Sequence, residues 1–283
     1  CWRTRSTMAR GAGGCGMGLN RLQSYDYLRC MNGYRLLPLF VLLWGISAFA
    51  SGQTRSVRDS ALTSPHIHLS MGLASPFGDL ADRMGNGGMV GVGFHVKQRT
   101  GLCWGLQANW GFGHRLQEQG VLSNLLTPGG DLIDNEGQVA FVSITGRTGL
   151  FTADIGWLWD GLGPNPNSGL LFKAGVGSFH HRLHFENTEN RITQLEQPQL
   201  QFYDRLTWGI AGRLTAGYFH MSNDGLRNFY ADLSFTRARS WPQRPFHADI
   251  EVAETGARSE GLLGLEVGWV FHMYRRAPKE HWY

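Results

Sequence analysis

Eight stretches of this chain alternate apolar residues with polar residues or glycine, and this period of two constrains the fold more than any other feature. Successive side chains of a strand point to opposite faces, so sustained alternation marks a strand whose faces meet different surroundings. The first stretch sets Ile67, Leu69, Met71 and Leu73 against His68, Ser70, Gly72 and Ala74. The second sets Val90, Val92, Phe94 and Val96 against Gly91, Gly93, His95 and Lys97. The third runs from Leu102 through Trp104, Leu106, Ala108 and Trp110 to Phe112, opposite Cys103, Gly105, Gln107, Asn109 and Gly111. The fourth carries Phe151, Ala153, Ile155, Trp157 and Trp159, and is expected to begin near Gln138. The last four centre on Leu170–Val176, Leu206–Tyr218, Phe229–Phe235 and Leu263–Phe271.

Connection lengths alternate too. Short, turn-forming links occupy 99–101, 160–168 and 222–227, whereas 76–88, 114–137, 187–204 and 240–260 are longer. Short turns at one end and long loops at the other are the habit of up-and-down transmembrane barrels. The predicted fold is therefore all-β: an eight-stranded antiparallel up-and-down transmembrane β-barrel, which leaves no unpaired backbone edge in lipid. The aromatics fit two interfacial girdles. Trp104, Trp157, Trp159, Tyr218, Trp269 and Phe271 fall near the short-turn ends, and Trp110, Phe112 and Trp208 fall nearer the loop ends.

Alternation alone does not say which face is outside. A soluble barrel or sandwich would turn the apolar face inward. The opposite face carries Asp154, Lys173, Arg213, Asp232 and Glu266, one charge on each of five successive strands. The narrow lumen of an eight-stranded barrel is filled by side chains, so these five are expected to form a lumen charge network, with opposite charges pairing between neighbouring strands. An ion path is the alternative reading of the same five residues.

The ends of the chain shape the electrostatics. Residues 1–30 are expected to be an upstream segment, with Met31 the start of a signal peptide over 31–50. Arg35 precedes an apolar run ending in Ala48-Phe49-Ala50, a small-residue cleavage pattern. A retained N-terminal anchor is the alternative. A short periplasmic segment over 51–65, the barrel over 66–274 and a periplasmic tail over 275–283 complete the expected organisation. The 26 Lys+Arg and 22 Asp+Glu of the whole chain include six arginines (Arg3, Arg5, Arg10, Arg21, Arg29, Arg35) and Asp26 before residue 51, leaving 20 bases, 21 acids and a net charge of −1. The basic pI thus gives no case for nucleic acid. Of the four cysteines only Cys103 lies beyond residue 50, so neither an internal disulfide nor a cysteine metal site is expected there. A GxGxxG match at 11–16 follows no strand and has no βαβ unit, and is read as chance.

Three segments carry a family resemblance: Val121-Leu-Ser-Asn-Leu-Leu-Thr-Pro-Gly-Gly130, Asp134-Asn-Glu-Gly-Gln138 and Tyr203-Asp-Arg-Leu-Thr207. With the barrel pattern over 66–274, the chain resembles the small outer-membrane β-barrel proteins of the Bacteroidota type. The resemblance implies a bacterial outer-membrane location, with both termini periplasmic. Some small barrels of that phylum assist protein secretion or gliding motility, but the likeness to those is architectural and implies no reaction.

Chemistry is sparse. Ser178, His180, His184 and Glu186, with His181 beside them, cluster at the loop end of the fifth strand. They are weak candidates for a hydrolase acting on outer-leaflet lipid, since such an enzyme needs nucleophile, base and acid within hydrogen-bond reach. The blander reading is a polar strand end rising out of the membrane. The same histidines could hold a metal, but no metal or cofactor is expected. Arg191, Arg237, Arg239, Arg244 and Arg258 could contact lipopolysaccharide phosphates or another envelope protein. The expected function is a non-enzymatic outer-membrane barrel with a structural, assembly or secretion-accessory role. A lipid A-modifying hydrolase and a narrow pore stand as alternatives.

Overall fold

A computed structural model describes residues 60–187, 192–222, 227–244, 246–249 and 254–273. The expected upstream segment, signal peptide and C-terminal tail lie outside these residues, as does Tyr274. Strands β1 (Ser64–Gly78), β2 (Gly87–Lys97), β3 (Leu102–Arg115), β6 (Ser143–Trp159), β7 (Gly169–Glu186), β8 (Thr207–His220), β9 (Phe229–Pro242) and β10 (Arg258–His272) form one closed barrel. Every neighbour pair is antiparallel and sequential, and β1 closes the ring against β10 with Leu69 opposite Trp269 and Leu73 opposite Leu265.

Strand limits differ from the alternation pattern at several points. The fourth barrel strand, β6, begins at Ser143 rather than Gln138, because β4 (Leu132–Ile133) and β5 (Val139–Ala140) pair as a small hairpin of their own. Inside that hairpin Asp134 Oδ1 accepts hydrogen bonds from the backbone N–H groups of Glu136 and Gln138, a local turn that competes with strand extension. The first strand continues through Pro76 to Gly78 and hands over to a one-turn helix, α1 (Asp79–Arg83). β3 carries an irregularity between Gly111 and His114, where the register against β6 shifts.

The apolar face points outward. Leu73 and Val176 are each 68% exposed, while Arg213 and Asp232 on the opposite face are 2% and 4% exposed. A continuous belt of exposed Leu, Val, Ile, Phe and Trp around a polar interior is the reverse of a soluble barrel, and an apolar surface of this extent needs an apolar solvent. Aromatics border the belt at both levels. Trp269 pairs with Phe229 near the turn end, and Trp208 pairs with Trp241 near the loop end.

The interior is layered. At the turn end Leu62, Leu158, Phe219, Met221, Tyr230 and Val270 pack as an apolar floor around Cys103. Leu62, from the segment expected to be a short periplasmic lead-in, is 1% exposed and held by its N–H to Asn167 Oδ1 at 2.8 Å. A polar layer lies above. A second apolar layer follows, in which Leu80 and Met84 at α1 meet Met89, Leu150, Phe179 and Leu262. The loops then build their own small core around Leu122, Leu183, Phe185, Ile192, Leu195 and Tyr203.

Candidate functional site

The polar layer is built where inward positions of all eight barrel strands meet. Arg213 on β8 donates to Asn109 Oδ1 at 2.9 Å and pairs closely with Glu266 on β10. Glu266 also accepts from Ser70 Oγ at 3.1 Å and Asn109 Nδ2 at 2.8 Å. Lys173 on β7 lies 3.6 Å from Asp232 on β9. Asp154 on β6 has neither of these cations as its contact and lies 3.4 Å from His95 Nε2 on β2. Both main pairs skip an intervening strand, because the long Arg213 and Lys173 side chains reach across the concave wall of the narrow lumen to the strand beyond. Gly175 makes the space for Asp154: a Cβ there would meet Asp154 Oδ1 at 1.9 Å. Charges buried in this way persist when paired and hydrogen-bonded.

A second site covers the loop end. Arg205 has a left-handed φ of 48° and a buried side chain, and it grips Asp249 with two bonds at 3.2 and 2.5 Å. Its Nε lies 2.6 Å from Glu118. Arg83 pairs with Glu254 and donates to Thr207 Oγ1 at 3.2 Å. Arg258 reaches Glu254 at 2.7 Å, and Arg244 holds Asp204 through bonds of 2.8 and 2.5 Å. His181 Nε2 lies 2.6 Å from Glu260 Oε1 beneath them. All four loops are thus joined by arginine–carboxylate contacts. His247 beside it, with Arg83 and Arg258, holds the Glu254 carboxyl well below the usual carboxylate range. The Asp204 carboxylate raises the Arg244 guanidinium.

Of the loop-level arginines expected to face lipid or a partner, Arg244 and Arg258 belong to this cap, and Arg191 lies outside the described residues. Arg237 and Arg239 are exposed on the outer face of β9, where Arg237 lies 5.5 Å from the Phe77 ring. Arg147 and Arg182 oppose each other on β6 and β7, and Arg115 opposes the next outward position, Thr145. These three are also exposed. Among the described residues none of these five outward arginines has an ion-pair partner.

Ser178, His180, His184 and Glu186 lie at even positions along β7 and so share its outward face. Six residues at about 3.3 Å each separate Ser178 from His184 by about 20 Å. Among the described residues no hydrogen bond links any two of the four, and the His180 ring stacks on Phe151 at 5.8 Å. His181 points to the other face. The four do not form a catalytic relay in this arrangement.

One metal-capable group occurs among the described residues: His66, His68 and His95, whose ligand atoms all lie within 4.8 Å of one another. All three are buried in the lumen at the turn end. Sequence reading placed His68 and His95 on polar faces without bringing them together. Half of the signal was available, since two histidines two apart on one strand share a face. The register that puts His66 opposite His95 was not, because β1 and β2 are joined by the long segment 79–86 and no tight turn fixes their pairing.

No protein-family model matches the chain, and no curated protein sequence matches it. Among solved structures, the attachment invasion locus protein Ail of Yersinia pestis is similar over 74% of this chain and 99% of its own, at 10% identity and a TM-score of 0.38. Neisserial surface protein A covers 73% of this chain and 96% of its own, at 8% identity and a TM-score of 0.39. The N-terminal β-barrel domain of Pseudomonas aeruginosa OprF covers 74% and 100%, at 12% identity and a TM-score of 0.35. At such identities and scores these likenesses bear no weight beside the strand pairing, which itself defines an eight-stranded antiparallel barrel.

Proposed function

We propose that this chain is a non-enzymatic barrel of the bacterial outer membrane with a structural or accessory role, sealed to ions and displaying a locked loop layer outside. The filled lumen carries the reading. Apolar floor, paired charges, apolar plug and arginine–carboxylate cap follow one another along the axis, and an ion would have to displace each in turn. The exposed apolar belt supports placement in lipid, and the start of β1 and the finish of β10 at the turn end support a periplasmic side for both ends of the barrel.

The outward arginines support contact with lipopolysaccharide. Arg115, Arg147 and Arg182 stand near the loop ends of their strands, and Arg239 and Arg237 lie two and four residues to the membrane side of Trp241 on β9. The planar guanidinium fork matches the oxygens of outer-leaflet phosphates. The cap would then be the surface offered to another envelope protein. A secretion-accessory role of the kind implied by the Bacteroidota resemblance is the finer form of this reading. Planar-bilayer recording of the purified protein tests it: the expected trace shows no conductance steps, and reproducible unitary steps from the wild-type chain would replace this reading with a narrow pore.

A further inference from the structure

We propose that the turn end of the lumen holds a transition-metal site formed by His66, His68 and His95. Nitrogen donors favour late first-row ions such as Zn2+ over Ca2+ or Mg2+, which take oxygen ligands. Three imidazoles with one further position are a familiar zinc arrangement.

The surroundings of the three rings agree. His66 Nδ1 lies 3.2 Å from the Ser64 carbonyl oxygen. A proton donated there leaves Nε2 with a free lone pair. His68 is 2% exposed and its Nε2 is buried with no hydrogen-bond partner, a state that is costly unless something occupies the position. Asp154 stands 3.4 Å from His95 Nε2. A carboxylate on one nitrogen orients an imidazole to ligate through the other, and its negative charge offsets part of the ion's. Ring centroids are 5.0 Å apart for His68 and His95 and 6.1 Å for His66 and His95. Small side-chain rotations would bring the donor atoms onto one ion.

The backbone leaves room for the rings. A Cβ on Gly93 would lie 2.6 Å from His68 Nε2. The three imidazoles line a cavity of about 20 Å³ together with Cys103, Lys97, Lys173 and Tyr230, and the Lys173 charge is offset by Asp232 at 3.6 Å. The cavity is space for one water-sized body, which suits a fourth ligand. Lys97 turns away from the rings, donating to Leu62 O at 3.2 Å and Asn167 Oδ1 at 2.9 Å. A bound ion would tie the β1–β2 hairpin at the point where β1 also closes the barrel.

The test uses the full chain, folded in detergent and stripped with chelator. Co2+ titration should saturate at one equivalent with the intense visible bands of a four-coordinate ion, and Zn2+ should abolish them by displacement. His68→Gln should lose the bands, and Asp154→Asn should weaken binding by about 10–100-fold. A double variant of the outward histidines, His180→Ala with His184→Ala, should keep the bands. Heat-dependent gel migration reports which variants fold. If His68→Gln does not fold, X-ray absorption of the wild-type Co2+ complex decides by showing or lacking three imidazole ligands. Failure of the wild-type chain to take up one equivalent of either ion would overturn the proposal, as would unchanged binding in folded His68→Gln.

Discussion

The lumen and the loop cap are both built from buried arginine–carboxylate pairs, yet the pairs do different work. In the lumen, Arg213 and Glu266 sit on strands whose positions the backbone ladder already determines. Their pairing neutralises charges that would otherwise be stranded. In the cap, Arg205 and Asp249 belong to loops with no ladder between them, so side chains replace backbone pairing as the means of assembly. A charge pair inside a barrel is thus chiefly a matter of compensation, whereas one between loops determines geometry.

Breaking one pair in each region separates these roles, and the cap should respond most. Arg205→Ala leaves Asp249, 1% exposed at its side chain, without its bidentate partner, at a cost of about 3–5 kcal/mol. Limited proteolysis should then cut within 116–142 and 243–257 while the barrel core stays resistant. Arg213→Leu should cost less, about 3 kcal/mol, because Glu266 keeps Ser70 and Asn109. Its effect should be a lower thermal transition of the whole barrel in gel-shift assays, with loop cleavage unchanged. Loop cleavage in Arg213→Leu equal to that in Arg205→Ala would erase the distinction.

Acid should loosen the cap before the barrel. The Glu254 carboxyl is depressed by His247, Arg83 and Arg258 below its ordinary value of 4.5. Its contribution is therefore complete above that value and is lost as pH falls from there through the lower folded value. Protease sensitivity of the loops should rise across that window at constant far-ultraviolet circular dichroism. The smallest effect should come from Arg244→Ala. Its pair with Asp204 is partly exposed, so thermal shift should report about 1 kcal/mol or less.

The barrel was legible in sequence because alternation survives wherever one face meets lipid and the other a polar lumen, as in β9 from Phe229 to Phe235. It was less legible where the lumen itself turns apolar. Leu158, Leu171 and Leu262 interrupt the polar face, and they do so because they build the floor and plug. The cap pairs could not be read, since loops carry no periodicity to say that Arg205 lies beside Asp249 rather than any other acid. The Tyr203-Asp-Arg-Leu-Thr207 segment nevertheless marks the place, with Asp204, Arg205 and Thr207 each holding a cap partner. Skipped-strand pairing escaped for a related reason: it depends on lumen width, which local pattern does not encode.

The central claim is that the apolar face meets lipid and the filled lumen does not. Nuclear Overhauser contacts between acyl chains and side-chain methyl groups in lipid nanodiscs test it without altering the protein. Contacts should reach Leu73, Val176, Leu214, Leu233, Leu263 and Leu265, and should be absent at Leu150, Leu262 and Val270. The neighbours Leu262 and Leu263, at 4% and 42% exposure, make the sharpest pair. Acyl-chain contacts at Leu262 but not at Leu263, or at both alike, would contradict the account.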